Sequence, residues 1–272
     1  MLKDITIGQY YPGQSFLHRL DPRTKLICLF FYMVGLFMVK ELLSFSYVLA
    51  FTGVIVAASG VPLKTLLKGL KPMWLLMVLT LALNFFMAGE GAVLWQWRFL
   101  KITDAGILRG FFMVLRLILL LNVTALLTLT TTPILLTDGL ERIMKRLFIP
   151  MAHELAMMMT IALRFIPTLI EETERIMKAQ IARGADFETG SIVKKAKSLV
   201  PLLIPLFVSA FRRADELAMA MEARCYRGGE GRTRLRQLRY RPIDAVAFCC
   251  IAVFLAFVIL DRYWLKLFAN VL

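Results

Sequence analysis

Long uncharged apolar runs occupy both ends of this chain, and a charged, helically patterned segment lies between them. The runs are Leu26–Val39, Leu42–Leu63, Pro72–Gly89, Gly110–Thr137 broken by Arg116, and Ala245–Leu260 bracketed by Asp244 and Asp261. A spanning helix needs about 20 apolar residues, so the pattern predicts about five transmembrane helices. The first run is short, and only Lys40 and Glu41 part it from the second, so the two read either as separate spans or as a re-entrant pair. Lys25 and Lys40 are placed to snorkel at the ends of the first.

Residues 133–241 carry too many charges to cross a bilayer and too regular an apolar pattern to be disordered. Leu155, Met158, Ala162, Ile166, Leu169, Thr173, Ile176 and Gln180 recur at three- and four-residue steps, with Glu171, Glu172, Glu174, Arg175 and Lys178 mostly off the stripe. A second stripe runs Val193, Ala196, Val200, Leu203, Phe207, Ala210, Ala214, Leu217 and Met221. Gly184–Gly190 reads as a short connection between two long amphipathic helices. Pro167, Pro201 and Pro205 are expected to kink them. The fold class is all-α and polytopic, divided as 1–132 with about four spans, 133–241 outside the hydrocarbon, and 242–272 with a last span.

Composition agrees with this division. Hydrophobic residues make up 59% of the 272 positions, too apolar for a water-soluble enzyme, yet 33 Lys and Arg against 19 Asp and Glu leave a net charge of +14 that must sit outside the hydrocarbon. Short loops rich in Lys and Arg stay cytoplasmic. With the amino end inside, segments 1–25, 61–71 and 133–241 hold 26 of these cations and the opposite loops five, so an inner amino terminus and an outer carboxy terminus are expected. Met1 to Gly13 is polar and aromatic, so targeting is expected to come from the internal spans.

Catalytic chemistry is not visible. The sequence holds no phosphate loop, no HExxH, no GxSxG and no dinucleotide glycine fingerprint, and no cofactor is expected. Cys28, Cys225, Cys249 and Cys250 lack ligand spacing and read as reduced thiols. His18 and His153 stand far apart without cysteine partners and read as surface or cap groups rather than metal ligands. Arg116, the one charge within a span, is expected to snorkel or meet a lipid phosphate.

Two arginines extend the apolar stripes instead of the solvated faces. Arg183 lies in Ala182-Arg183-Gly184 and Arg224 in Ala223-Arg224-Cys225. One reading makes each a cation in the last turn of its helix, with Gly184 and Gly228 as caps. The other has each guanidinium enter an acidic groove on a partner protein, where its planar donors suit carboxylates. Sequence physics leaves both open. A helix from about residue 191 to 224 is on the order of 50 Å long, which would set the two arginines far apart, suiting two partner subunits better than one pocket.

The amino-terminal run Ile7-Gly8-Gln9-Tyr10-Tyr11-Pro12-Gly13-Gln14-Ser15 and His18-Arg19-Leu20-Asp21-Pro22-Arg23-Thr24-Lys25-Leu26 resembles the opening signature of a known family. Leu163-Arg164-Phe165-Ile166-Pro167, Glu171-Glu172 and Ala179-Gln180-Ile181-Ala182-Arg183-Gly184 resemble its cytoplasmic helices. Over nearly its whole length the chain is similar to the transmembrane T component (EcfT/CbiQ type) of energy-coupling factor transporters, ABC-class vitamin importers of the bacterial cell membrane. The resemblance implies a complex with two ABC-type ATPases and a small substrate-binding membrane subunit, the S component. It also implies that the long helices are coupling helices whose Ala-Arg-Gly motifs, here Ala182–Gly184 and Ala223–Cys225, dock into the ATPases. Cys225 stands where that family usually has glycine. The chain itself would be non-catalytic.

Met157, Met158 and Met159 read either as core filling or as an adaptable surface for interchangeable S components. Two other classes of function remain in view. The basic stretch Arg232, Arg234, Arg236, Arg239 and Arg241 suits a lipid-bound scaffold or regulator; nucleic acid is not expected as a partner. A secondary transporter would need more intramembrane charge and visible repeats.

Overall fold

A computed structural model describes residues 10–39, 42–87, 93–97, 100–185, 187, 191–229 and 237–269. It is helical apart from one short hairpin. The helices are α1 (Phe16–Arg19), α2 (Pro22–Met38), α3 (Leu42–Ser59), α4 (Leu63–Leu70), α5 (Trp74–Met87), α6 (Asp104–Thr130), α7 (Pro133–Arg146), α8 (Ala152–Ala182), α9 (Ile192–Ala223) and α10 (Pro242–Ala269). Between α5 and α6, β1 (Val93–Trp97) pairs antiparallel with β2 (Leu100–Thr103). The described residues fall into two compact units, one from 10–139 and 238–269 and the other from 140–237.

In the first unit α2, α3, α6 and α10 enclose the main core, built from Tyr32, Leu36, Phe45, Val48, Leu119 and Phe254. Phe254 stacks on Phe51 at 4.6 Å and on Tyr32 at 5.5 Å between ring centroids. Several polar groups buried here find partners inside the chain, as a low-dielectric setting favours, although Thr24 Oγ1 and Arg116 Nε have none among the described residues. The Asp244 carboxylate accepts from the backbone N–H of Asp21 at 2.9 Å and of Arg241 at 2.7 Å, fastening the start of α2 to the start of α10. Lys25 does not snorkel: it is buried, and its Nζ donates to Thr130 O and Thr131 Oγ1, both at 2.9 Å. Arg116 likewise turns inward, donating from Nη2 to Val39 O at 2.6 Å beside the rings of Phe37 and Phe45. It thereby serves one of the carbonyls that the end of α2 leaves unbonded.

Among the described residues, four helices are long and apolar enough to cross a membrane: Leu63–Phe85, Gly106–Thr130, Ala152–Ala182 and Pro242–Asp261. The chain is a multi-pass membrane protein. Leu63–Phe85 joins α4 and α5 through a 3-10 turn at Lys71–Met73. At 17 and 18 residues α2 and α3 are about 25 and 27 Å long, short of the roughly 30 Å hydrocarbon layer. The run expected to continue to Thr137 instead stops at Thr130, because Pro133 disfavours helical backbone just before it, and a new helix begins at that proline. Although α8 meets the length and apolarity criteria, it carries Glu154, Arg164, Glu171, Glu172, Glu174, Arg175 and Lys178.

Candidate functional site

The second unit is built on α8 and α9, of 31 and 32 residues. They pack against each other, and Arg213 Nη2 donates to Glu172 Oε2 across the pair at 2.9 Å. Hydrogen bonds from Ser209 and Arg213 and the Arg213 charge hold the Glu172 carboxyl below its usual range. Helix α8 continues through Pro167 and α9 through Pro201 and Pro205.

Both arginine motifs sit at helix C-termini, and the two ends are built alike. Arg183 closes α8: Gly184 N–H donates to Ile181 O at 2.9 Å and Ala185 N–H to Gln180 O at 2.9 Å. In α9, Cys225 N–H donates to Glu222 O at 2.8 Å and Tyr226 N–H to Met221 O at 3.1 Å. These paired bonds form the Schellman motif, which needs a left-handed residue just after the cap. Gly184 supplies it at φ +87° and Cys225 at φ +55°. The cap of α9 is therefore Cys225 and not the expected Gly228, which lies beyond the motif. A side chain in this conformation costs about 1–2 kcal/mol, so Cys225 holds the geometry of glycine at some strain. The result is two equivalent ends with Ala182, Arg183 and Gly184 exposed on one, and Ala223, Arg224 and Cys225 exposed on the other.

The motifs are not brought together. At 1.5 Å per residue α9 is about 48 Å long, and the eight residues from Gly184 to Ser191 reach at most about 28 Å. Arg183 and Arg224 are thus separated by roughly 20 Å or more along a straight α9. Each arginine stands at a helix C-terminus, where the helix dipole favours a cation, and each is exposed.

Of the methionines, Met158 and Met159 are exposed and Met157 half-buried, whereas Ala152 and Ala156 are buried. A larger apolar surface lies on α9, where Val200, Leu203, Ile204, Phe207, Val208 and Phe211 are 46–69% exposed. The second sequence stripe already contained Val200, Leu203 and Phe207. The adjacent stripe Ile204, Val208 and Phe211 widens the apolar face, and its residues too are exposed. His153, expected as a surface or cap group, bridges Glu141 and Tyr226. No metal-ligating cluster occurs among the described residues. Of the basic stretch, Arg232, Arg234 and Arg236 lie outside the described residues, and Arg239 and Arg241 are exposed.

Comparison with known proteins decides the family. A family model described as CbiQ, cobalt transport protein, matches residues 13–235. The chain belongs to the CbiQ family. Its relatives in that family include the energy-coupling factor transporter transmembrane protein EcfT of Clostridium kluyveri, 53% identical over 97% of this chain and 99% of its own length. The EcfT of Acidaminococcus fermentans is 56% identical over 90% of this chain and 92% of its own, and that of Bacillus subtilis 48% identical over 94% and 97%. Membership in the CbiQ family fits a transport subunit of the membrane.

Proposed function

We propose that this chain is the transmembrane component of an energy-coupling factor transporter in a bacterial cell membrane. It couples ATP hydrolysis by two partner ATPases to movement of a substrate-binding S component. The observation that carries the reading is the identical closure of α8 and α9, each presenting an exposed Ala-Arg pair at its tip. Two equivalent tips on stiff helices, well separated, suit two equivalent partners, with one guanidinium per ATPase. The chain hydrolyses nothing itself: partners closing on ATP shift the tips relative to each other, and the packed helix pair carries that motion toward the membrane. Residues 133–241 then lie on the cytoplasmic side with the amino terminus.

The uncovered apolar face of α9, together with Met158 and Met159, is the docking surface for the S component. Flexible thioethers and a wide apolar face accept partners of differing detail, so interchangeable S components fit. Substrate choice among vitamins or other micronutrients then resides in the S component. The test is direct. Arg183→Ala and Arg224→Ala each remove a desolvated charged contact, a loss of about 2–5 kcal/mol per interface. Vitamin uptake is expected to vanish and ATPase copurification to fall in each variant, with membrane insertion intact. Normal uptake in the double variant would refute the assignment.

A further inference from the structure

Glu141, His153 and Tyr226 form a polar bridge that the arginine motifs do not include, and it ends two residues past Arg224. Glu141 is 3% exposed, and its Oε1 lies 3.0 Å from His153 Nδ1 and 3.2 Å from Lys145 Nζ. An ionised carboxylate only accepts, so Nδ1 donates to it, and Nε2 on the other side of the ring hydrogen-bonds with the Tyr226 hydroxyl at 3.3 Å. Gly229 lies flat against the same imidazole: a Cβ there would fall 2.6 Å from His153 Cδ2. Tyr226 is also the residue whose N–H closes the α9 cap on Met221 O. Its backbone thus completes the turn that presents Arg224, while its hydroxyl is tied to the start of α8 and, through His153, to α7.

From this bridge we infer that His153, held by Glu141, is a positioning residue for docking at Arg224, fixing the direction in which the α9 tip enters its ATPase. The inference rests on the proposed function, because it presumes that Arg224 is a docking group. Mechanically, a tip tied to α7 and α8 passes a push from the ATPase into those helices without loss in a loose turn.

Cys225, exposed and adjacent to Arg224, is a native reporter. The experiment uses the whole complex copurified with its ATPases, and follows maleimide labelling of Cys225 by peptide mass spectrometry together with uptake per ATP hydrolysed. In the unaltered complex the bound ATPase is expected to shield Cys225. Tyr226→Phe, which removes one oxygen atom, and His153→Ala are expected to speed labelling about three- to tenfold, the effect of one lost hydrogen bond, and to lower uptake per ATP. His153→Gln, which keeps a hydrogen-bonding group toward Tyr226, should restore part of the shielding. Arg224→Ala separates the two claims. Unchanged shielding in Arg224→Ala overturns the docking role of that residue. Lost shielding in Arg224→Ala with wild-type shielding and coupling in both Tyr226→Phe and His153→Ala overturns the positioning role alone.

Discussion

Cys225 shows how one backbone angle shapes the end of α9. Its φ of +55° is a conformation glycine adopts freely, so Cys225→Gly is expected to raise stability by about 1 kcal/mol, read as a higher melting temperature in detergent, with uptake retained. The reverse change at the sister site, Gly184→Ala, adds a methyl into open space, and its cost of about 1–2 kcal/mol is expected to come from φ alone. Both arginines were legible in the sequence because they extend apolar stripes at helix ends. The equivalence of their caps was not, since a cysteine gives no sign of left-handed backbone. Nor was the bridge of His153 to Glu141 and Tyr226, which joins residues 12 and 73 positions apart.

At the scale of elements, periodicity located the two long helices well: the stripes from Leu155 and Val193 correspond to α8 and α9, and the connection between them falls where Gly184–Gly190 stands. A 3.6-residue repeat over nine turns leaves little room for another assignment. The β1–β2 hairpin escaped because its strands are short and lie beside long apolar runs. The inward turns of Lys25 and Arg116 escaped because their acceptors are backbone carbonyls at distant helix ends, to which composition is blind. Asp244 joins α2 to α10 through a buried bond from Asp21 N–H, and caps the start of its own helix through a second from Arg241 N–H. Asp244→Ala is expected to cost about 3 kcal/mol, seen as early melting of the purified protein, with Asp244→Asn retaining part of the stability. On α9, Phe207→Asp or Phe211→Asp places a carboxylate in the uncovered apolar face. The ATPases should still copurify while the S component is lost, and retention of the S component would remove that face from the interface.

The molecule as a whole combines a unit that buries Asp244, Lys25 and other polar groups against partners of its own with a helix pair whose tips and one face are exposed. Such a division suits a part that transmits force between other proteins: the packed core resists deformation, and the exposed ends receive it. Family membership agrees with a transport role, and in the proposed function the energy enters through contacts with the ATPases. The most direct measurement is uptake by proteoliposomes containing this chain and an S component, with and without the ATPase partners. Uptake that requires both ATP and the ATPases, and that disappears in Arg183→Ala and Arg224→Ala, is the expected result. Solute translocation by this chain without nucleotide or ATPases would contradict the account.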